Sequence, residues 1–365
     1  MVFLFQNHFK TAFEQYITPQ TLISCVVFFL CITFSLVFFT YLYLGLKKRA
    51  FFFKERIKKN LELWISNVIL ADDDEEIRIP EKFQRLFKTK AARDYAIENL
   101  ITNKKTFSGS VANNIRQLYE ELGFKQDSLK KLQSNFWYIK AKGIQELAIM
   151  DQADQLLRVY RLTNSKNDLV RNEAQAAIIH WSGFNGLRFL NIASYDISEW
   201  QQVQLLVQLK NFTQQDMPKM QQWLSSPNDT VVMFALKLSE VYQQFQVKNK
   251  VEECLFHPNE KVRIQAVATL AKIGDETSAD KMIQQYRQER FTNRINILQQ
   301  IHKIGSEEHI PFLQHELENE NDFLKLAAAK AMAELGKIKL LEEKAAENPE
   351  PYQQIYQHVK AEMTF

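Results

Sequence analysis

The sequence predicts an all-α protein: an α-solenoid of about seven to eight helical hairpins, preceded by a single transmembrane helix. Three observations carry this expectation. Beyond residue 137 the chain matches itself at intervals of about 31 residues. Gly (9) and Pro (8) are scarce among 365 residues, which disfavours sheets rich in tight turns. Residues 21–46, TLISCVVFFLCITFSLVFFTYLYLGL, contain no charged side chain.

As a helix the uncharged run reaches about 39 Å, enough for a hydrocarbon core of about 30 Å. Tyr41 and Tyr43 stand near one end as interfacial anchors. The charges follow the run rather than precede it, and YLYLGLKKRA offers no small-residue cleavage site. A retained span is therefore expected rather than a signal peptide. Lys47, Lys48, Arg49, Lys54, Arg56, Lys58 and Lys59 follow directly, and only Lys10 precedes. The positive-inside rule then places the C-terminal side in the cytoplasm, with a single pass through the inner cell membrane and the N-terminus outside. Residues 1–20 become a short extracytoplasmic or interfacial segment.

Charge is unevenly spread. Residues 1–70 carry a net +5 and the remainder a net −2. The large C-terminal part has no basic surplus, so nucleic acid is not expected as a partner. Cys25, Cys31 and Cys254 form neither a disulfide framework nor a CxxC pair, which suits a reducing compartment.

Residues 47–70 read as a basic juxtamembrane helix. Ile57, Leu61, Trp64 or Ile65, and Val68 recur at helical spacing, and the seven basic residues above would reach anionic headgroups. The alternative is a contact helix for another membrane protein. Residues 71–80, ADDDEEIRIP, read as an acidic linker. They lack the alternating acids and central Gly of a calcium loop. Residues 81–136 form an N-terminal helical region with an atypical first repeat at Lys90 (Ala92, Arg93 and Ala96) and SVANNIRQLYEELG as an extra helix.

The array proper spans residues 137–365. Its anchors are Trp137, Asp168, Glu199, Asp229, Glu260, Phe291 and Asp322. Glu260 is followed by Val262, Arg263 and Ala266 at offsets of two, three and six; Asp168 by Val170, Arg171 and Ala174; Asp322 by Leu324, Lys325 and Ala328. Asn-Asp or Asn-Glu pairs, and Ser198, cap helix starts. The aliphatic residue and the small residue share one helix face, where a neighbouring helix approaches. Val262, Ala266, Val267 and Leu270 make one apolar stripe, Gly274 ends that helix, and Met282, Ile283 and Tyr286 make the stripe of a second. Two such helices of about a dozen residues bury their faces only by stacking in a row.

The run Pro258-Asn259-Glu260-Lys261-Val262-Arg263-Ile264-Gln265-Ala266, followed by LAKIGDETS, resembles the HEAT-repeat family in its short bacterial, PBS-lyase-like form. The resemblance covers residues 137 to about 350 and implies a right-handed α-solenoid. It also implies that the basic residue at offset three pairs with a neighbouring unit's acid or loop. That residue is missing at Gln202 and Val232. Second helices line the concave side in this family, so a partner would meet Arg158, Arg161, Arg188, Lys219, Gln222, Gln285, Arg287 and Gln314.

No chemistry of a recognised kind stands out. HEAT-type hydroxylases hold two irons with several His-Glu pairs, and this chain has one, His315-Glu316. His302, His309 and His315 lack the spacing of a helical zinc pair. No GxSxG occurs, although a Ser-His-Asp arrangement is a matter of space rather than sequence. No cofactor is therefore expected. Trp137, Trp181, Trp200 and Trp223 are expected in core or inter-repeat packing. The most economical expectation is a membrane-anchored, non-enzymatic scaffold that binds a protein at the inner membrane face, for example a membrane-bound enzyme or secretion complex. The alternatives are a membrane sensor using the N-terminal segment and a HEAT-type enzyme or cofactor-binding protein.

Overall fold

A computed structural model describes residues 19–70, 79–210, 212, 217 and 219–363. Among them there are helices and no strands. The chain divides into two compact units, residues 1–127 and 128–365.

The first unit begins with α1 (Pro19–Leu70), one uninterrupted helix of 52 residues. It is long and apolar enough to cross a membrane. Side chains from Leu22 to Phe53 are exposed along it, among them Phe34 and Tyr41, and the first buried one is Ile57. Ile57, Leu61, Trp64, Ile65 and Val68 are all buried, on a stripe of period three to four. Residues 57–68 are thus more than a juxtamembrane extension: the same helix supplies one wall of the unit's core. That wall packs on α3 (Lys90–Thr106) and α4 (Gly109–Glu121), which follow α2 (Lys82–Leu86). Thr89 caps α3 by accepting from the Ala92 amide, and Ala92 and Ala96 are buried on it. Phe83, Phe87, Phe124 and Tyr119 stack edge-on through the middle of the unit. Arg93 lies over the Phe124 ring and donates to Asp127 at 2.6 Å. The acidic stretch 71–78 and residues 1–18 lie outside the described residues.

α5 (Phe124–Leu132) contains the division between the units. The second unit is built on the period read from the sequence. Each anchor is the first residue of a helix: α6 (Trp137–Ile149), α8 (Asp168–Ser182), α9 (Glu199–Leu209), α11 (Asp229–Val241), α13 (Glu260–Ile273), α15 (Phe291–Ile301) and α17 (Asp322–Glu334). The start is set by local chemistry. Asn167, Asn228, Asn259, Asn321 and Ser198 each accept a backbone N–H from the first turn that follows.

The second elements are shorter than the dozen residues expected. They are α7 (Leu156–Tyr160), α10 (Met220–Leu224), α12 (Lys248–Glu253), α14 (Glu276–Tyr286), α16 (Ile310–Glu316) and α18 (Ile338–Glu347), and a 3-10 segment over Gly183–Asn191. A first helix of 11 to 15 residues and two turns leave little of the period for a second. Gly186 marks how tight that return is, since a Cβ there would sit 2.8 Å from the Ile178 carbonyl oxygen. α19 (Pro349–Met363) closes the chain against α17 and α18.

First helices pack on their neighbours: α6 on α8, α8 on α9, α11 on α13, α13 on α15, and α15 on α17. Second elements pack on the first helix that follows, as α14 does on α15 and α16 on α17. The side-chain bonds repeat the period. Asn259 donates to Asp229 at 2.6 Å, Thr269 to the Leu236 carbonyl at 3.2 Å and Tyr286 to Glu316 at 2.6 Å, each about one unit apart. Buried apolar side chains form two continuous clusters, one from Leu132 to Ile178 and one from Ile179 to Val359.

Candidate interaction surfaces

The seven basic residues beside the apolar run, Lys47, Lys48, Arg49, Lys54, Arg56, Lys58 and Lys59, are all exposed on α1. They share that stretch with exposed Phe51, Phe52 and Phe53. Lys47 sits 5.8 Å from the centre of the Tyr43 ring.

Of the eight positions expected to meet a partner, Arg158, Arg161, Arg188, Lys219, Gln222, Arg287 and Gln314 are exposed. Gln285 is not. It is 7% exposed and donates to Glu289 at 3.0 Å, inside the bonds that join Glu289 to Arg263 at 2.6 and 3.0 Å. Burial resists charge on Glu289, but the bonds from Arg263, Asn293 and Gln285 together outweigh it and hold that carboxyl below its ordinary value. Gln285 therefore belongs to a buried polar network that ties α14 to α13. Arg188 is occupied locally, its Nε donating to the Asn185 carbonyl at 3.1 Å.

The basic residue at offset three works on its own unit. Arg171 donates to the Ser165 carbonyl at 2.8 Å and Arg263 to the His257 carbonyl at 2.8 Å, so each ties down the loop before its helix. Arg294 bonds to Glu316 at 3.2 Å in the second element of the same unit.

His315 is exposed while Glu316 is buried and bonded to Tyr286, Arg294 and Asn319, so this pair does not converge on one point. Among the described residues no group of three or more His, Cys, Asp and Glu could hold a metal ion. Ser306, His309 and Asp280 do come together. His309 Nδ1 lies 3.4 Å from Ser306 Oγ, and Nε2 lies 3.2 Å from Asp280. However, Nδ1 already accepts the Ser306 backbone N–H at 2.9 Å, which occupies its lone pair. The arrangement is a capping box at the start of the segment leading into α16.

Two of the four tryptophans depart from expectation. Trp223 is buried and donates to Asn191 at 2.7 Å, and Trp181 is half-buried. Trp137 and Trp200 are 51% and 72% exposed rather than in the core. Both stand in the first turn of a first helix, at offsets zero and one, where the helix face points away from its neighbours. Phe136, Tyr138, Leu169, Phe291 and Phe323 are exposed at equivalent places. Phe136, Trp137 and Tyr138 cluster with ring centres 5.6 to 5.9 Å apart, and Phe291 meets Phe323 at 6.4 Å. Neighbouring starts are adjacent: Asn259 bonds Asp229, and Arg290 bonds Glu260 at 3.4 Å. Exposed aromatic residues therefore stand at four of the seven helix starts, those of α6, α9, α15 and α17, and the starts of α8, α11 and α13 carry none. Sequence reasoning passed over them because it weighed the second helices. The signal was present as aromatic residues at offsets zero and one, outside the apolar core positions.

No protein-family model matches the chain. No curated protein matches it. Among solved structures, two engineered proteins from a structural-genomics consortium are similar to parts of it at 13% identity. One covers 78% of this chain and 98% of its own at a TM-score of 0.30. The other covers 64% and 94% at 0.21.

Proposed function

We propose that the chain is a membrane-anchored scaffold: a HEAT-type α-solenoid, held at the cytoplasmic face of the inner membrane by α1, that binds a protein partner. What supports this most directly is the set of exposed aromatic side chains at four of the helix starts of the second unit, clustered at Phe136, Trp137 and Tyr138 and at Phe291 and Phe323. Large apolar rings left in water are unusual on a surface that binds nothing, and aromatic anchors dominate protein contacts. The apolar half of α1 and its basic flank support the tether, with the basic side chains at anionic headgroups. Confinement to the membrane raises the effective concentration of the scaffold towards a membrane-bound enzyme or secretion complex without any added contact.

The test places a photo-crosslinking amino acid at Trp137 of the full chain in its native membranes. One discrete adduct is expected, lost on Tyr138→Ala and insensitive to Gln285→Ala. No adduct at Trp137, or an adduct indifferent to Tyr138, would remove the aromatic helix starts from this scheme. Membrane insertion with the second unit outside the cytoplasm, read by a phosphatase fused after Phe365, would overturn the topology.

A further inference from the structure

α9 buries Leu205 and Leu209 on its inward face, but its first inward turn is polar and its outward face is apolar. The positions that face inward by the repeat phasing, offsets two and three, are Gln201 and Gln202, and both are buried, at 7% and 1% exposure. Gln201 donates to Gln175, and Gln202 donates to the Ile197 carbonyl at 3.0 Å. The outward positions, offsets one, four and eight, are Trp200, Val203 and Val207, exposed at 72%, 45% and 51%. They lie at spacings of three and four, so they form one stripe along the helix. The other first helices do not repeat this. The same offsets carry Lys261, Ile264 and Ala268 on α13, and Phe323, Leu326 and Lys330 on α17, where only one of the apolar side chains is exposed.

The ends of the stripe carry opposite charges. Asp196 and Glu199 are exposed at its start and Lys210 at its end. Such a stripe is complementary to itself when reversed. Two copies laid antiparallel about a two-fold axis between residues 203 and 204 set Trp200 of each against Val207 of the other. Val203 and Gln204 meet at the axis. Lys210 of each falls beside residue 197 of the other, within a turn of Asp196 and Glu199. Antiparallel helix dipoles add to the attraction.

We propose that α9 is a two-fold contact between two copies of this chain. An isologous patch needs this kind of self-complementarity, in charge as well as shape. The three side chains offer ~300 Å² per chain, roughly 600 Å² for the pair, against about 1,200–2,000 Å² for a stable complex in solution. The contact is therefore weak in dilute solution and forms where two copies are tethered to one membrane, which raises their effective concentration.

Val203→Cys in the full chain, in reconstituted vesicles, tests this with a short bifunctional thiol reagent. The unaltered chain gives the background from Cys25, Cys31 and Cys254, and Gln145→Cys, exposed on α6, gives the collision rate. Expected is a dimer at Val203→Cys well above both. Adding Trp200→Ala should cut it about tenfold or more, as for loss of a central aromatic anchor. Lys210→Glu should weaken it, and Asp196→Lys added to Lys210→Glu should restore it. Thermal unfolding checks that each variant is folded, as expected at exposed positions. The proposal falls if Val203→Cys crosslinks no better than Gln145→Cys, if Trp200→Ala changes nothing, or if the charge exchange does not restore the dimer. An adduct with a different protein in native membranes, in place of the dimer, also overturns it.

Discussion

Replacing Gly143 by Ala tests the packing of the first helices with the smallest available change. Gly143 holds the small-residue position six after the anchor Trp137, in the middle of α6. An added Cβ would lie 2.6 Å from the backbone nitrogen of Leu132 and 2.9 Å from the Lys131 carbonyl carbon. Ordinary contact begins near 3.4 Å, so the backbone of α5 must retreat by about 0.8 Å. Backbone cannot rotate aside as a side chain can. The Lys131 and Ser128 bonds to Glu146, at 2.7 and 2.6 Å, hold the two helices together and resist the shift. Overpacking costs about 1–3 kcal/mol, and a clash with backbone rather than with a flexible side chain places this one at about 2–3 kcal/mol. Ala is favoured over Gly in a helix by about 1 kcal/mol, which offsets part of it. The net loss is about 1–2 kcal/mol, or a fall in Tm of roughly 2–8 °C for a unit of this size. The assay is thermal unfolding of the detergent-solubilised full chain, followed by far-UV circular dichroism. A Tm that holds or rises by about 2–4 °C would mean that helix propensity alone decides, and the close approach of α5 to α6 would be refuted.

Four further outcomes follow from particular contacts. Asn321→Ala removes the acceptor for the Phe323 and Leu324 amides and should cost about 1 kcal/mol in chemical denaturation, against little for Glu320→Ala at the exposed neighbouring position. The Lys248 ammonium, bonded to Asp275 at 2.6 Å, and then the Thr277 hydroxyl hold the Asp275 carboxyl well below the usual carboxylate range. Its stabilising effect is therefore complete above about pH 4, the unfolded value, and is lost as pH falls below that; Asp275→Asn should flatten the acid limb of a stability-versus-pH curve. Burial pushes the Cys254 thiol up to about 11, so at pH 8 its thiolate is on the order of a thousandth of the total. Native protein should react with thiol reagents at this residue only after unfolding, and rapid modification of the folded chain would contradict its burial. Gln202→Leu leaves the Ile197 carbonyl without its side-chain donor and should cost about 1–3 kcal/mol despite the added apolar surface.

The helix starts of the second unit were legible to the residue, and five of the seven are fixed locally. An Asn or Ser accepting first-turn amides needs no distant partner, and the apolar stripe behind it recurs with the period. The second elements were less legible because their ends are set by close returns such as Gly186 against Ile178, which depend on tertiary approach. One residue of the candidate surface, Gln285, was misplaced for a related reason. Polar letters on a second helix suggest solvent, but Gln285 is buried because Glu289 lies four residues on and Arg263 reaches it from another helix. Trp200 could have been placed outward from its offset alone. An aromatic residue is so commonly a core residue that composition outweighed phase.

The missing basic residue at Gln202 shows what the offset-three position requires. Arg171 donates to the carbonyl six residues before it, and Arg263 does the same. Gln202 carries no charge, yet its amide donates to Ile197, five residues before, and reaches the Thr230 carbonyl at 3.4 Å. What these three share is an N–H donor long enough to satisfy a loop carbonyl that no helix bond reaches, whereas Arg294 and Lys325 bond the carboxylates of Glu316 and Asp322. Positive charge is incidental to that task. Val232 cannot perform it, and there Asn228 caps its own helix and donates instead to the Ala193 and Tyr195 carbonyls of the loop before α9, one unit earlier. A match to the repeat that demands Arg or Lys at this position therefore scores two sound units as degenerate. A match that asks for a donor within reach of the loop explains why α9 can turn two glutamines inward and still leave Trp200, Val203 and Val207 free to face outward.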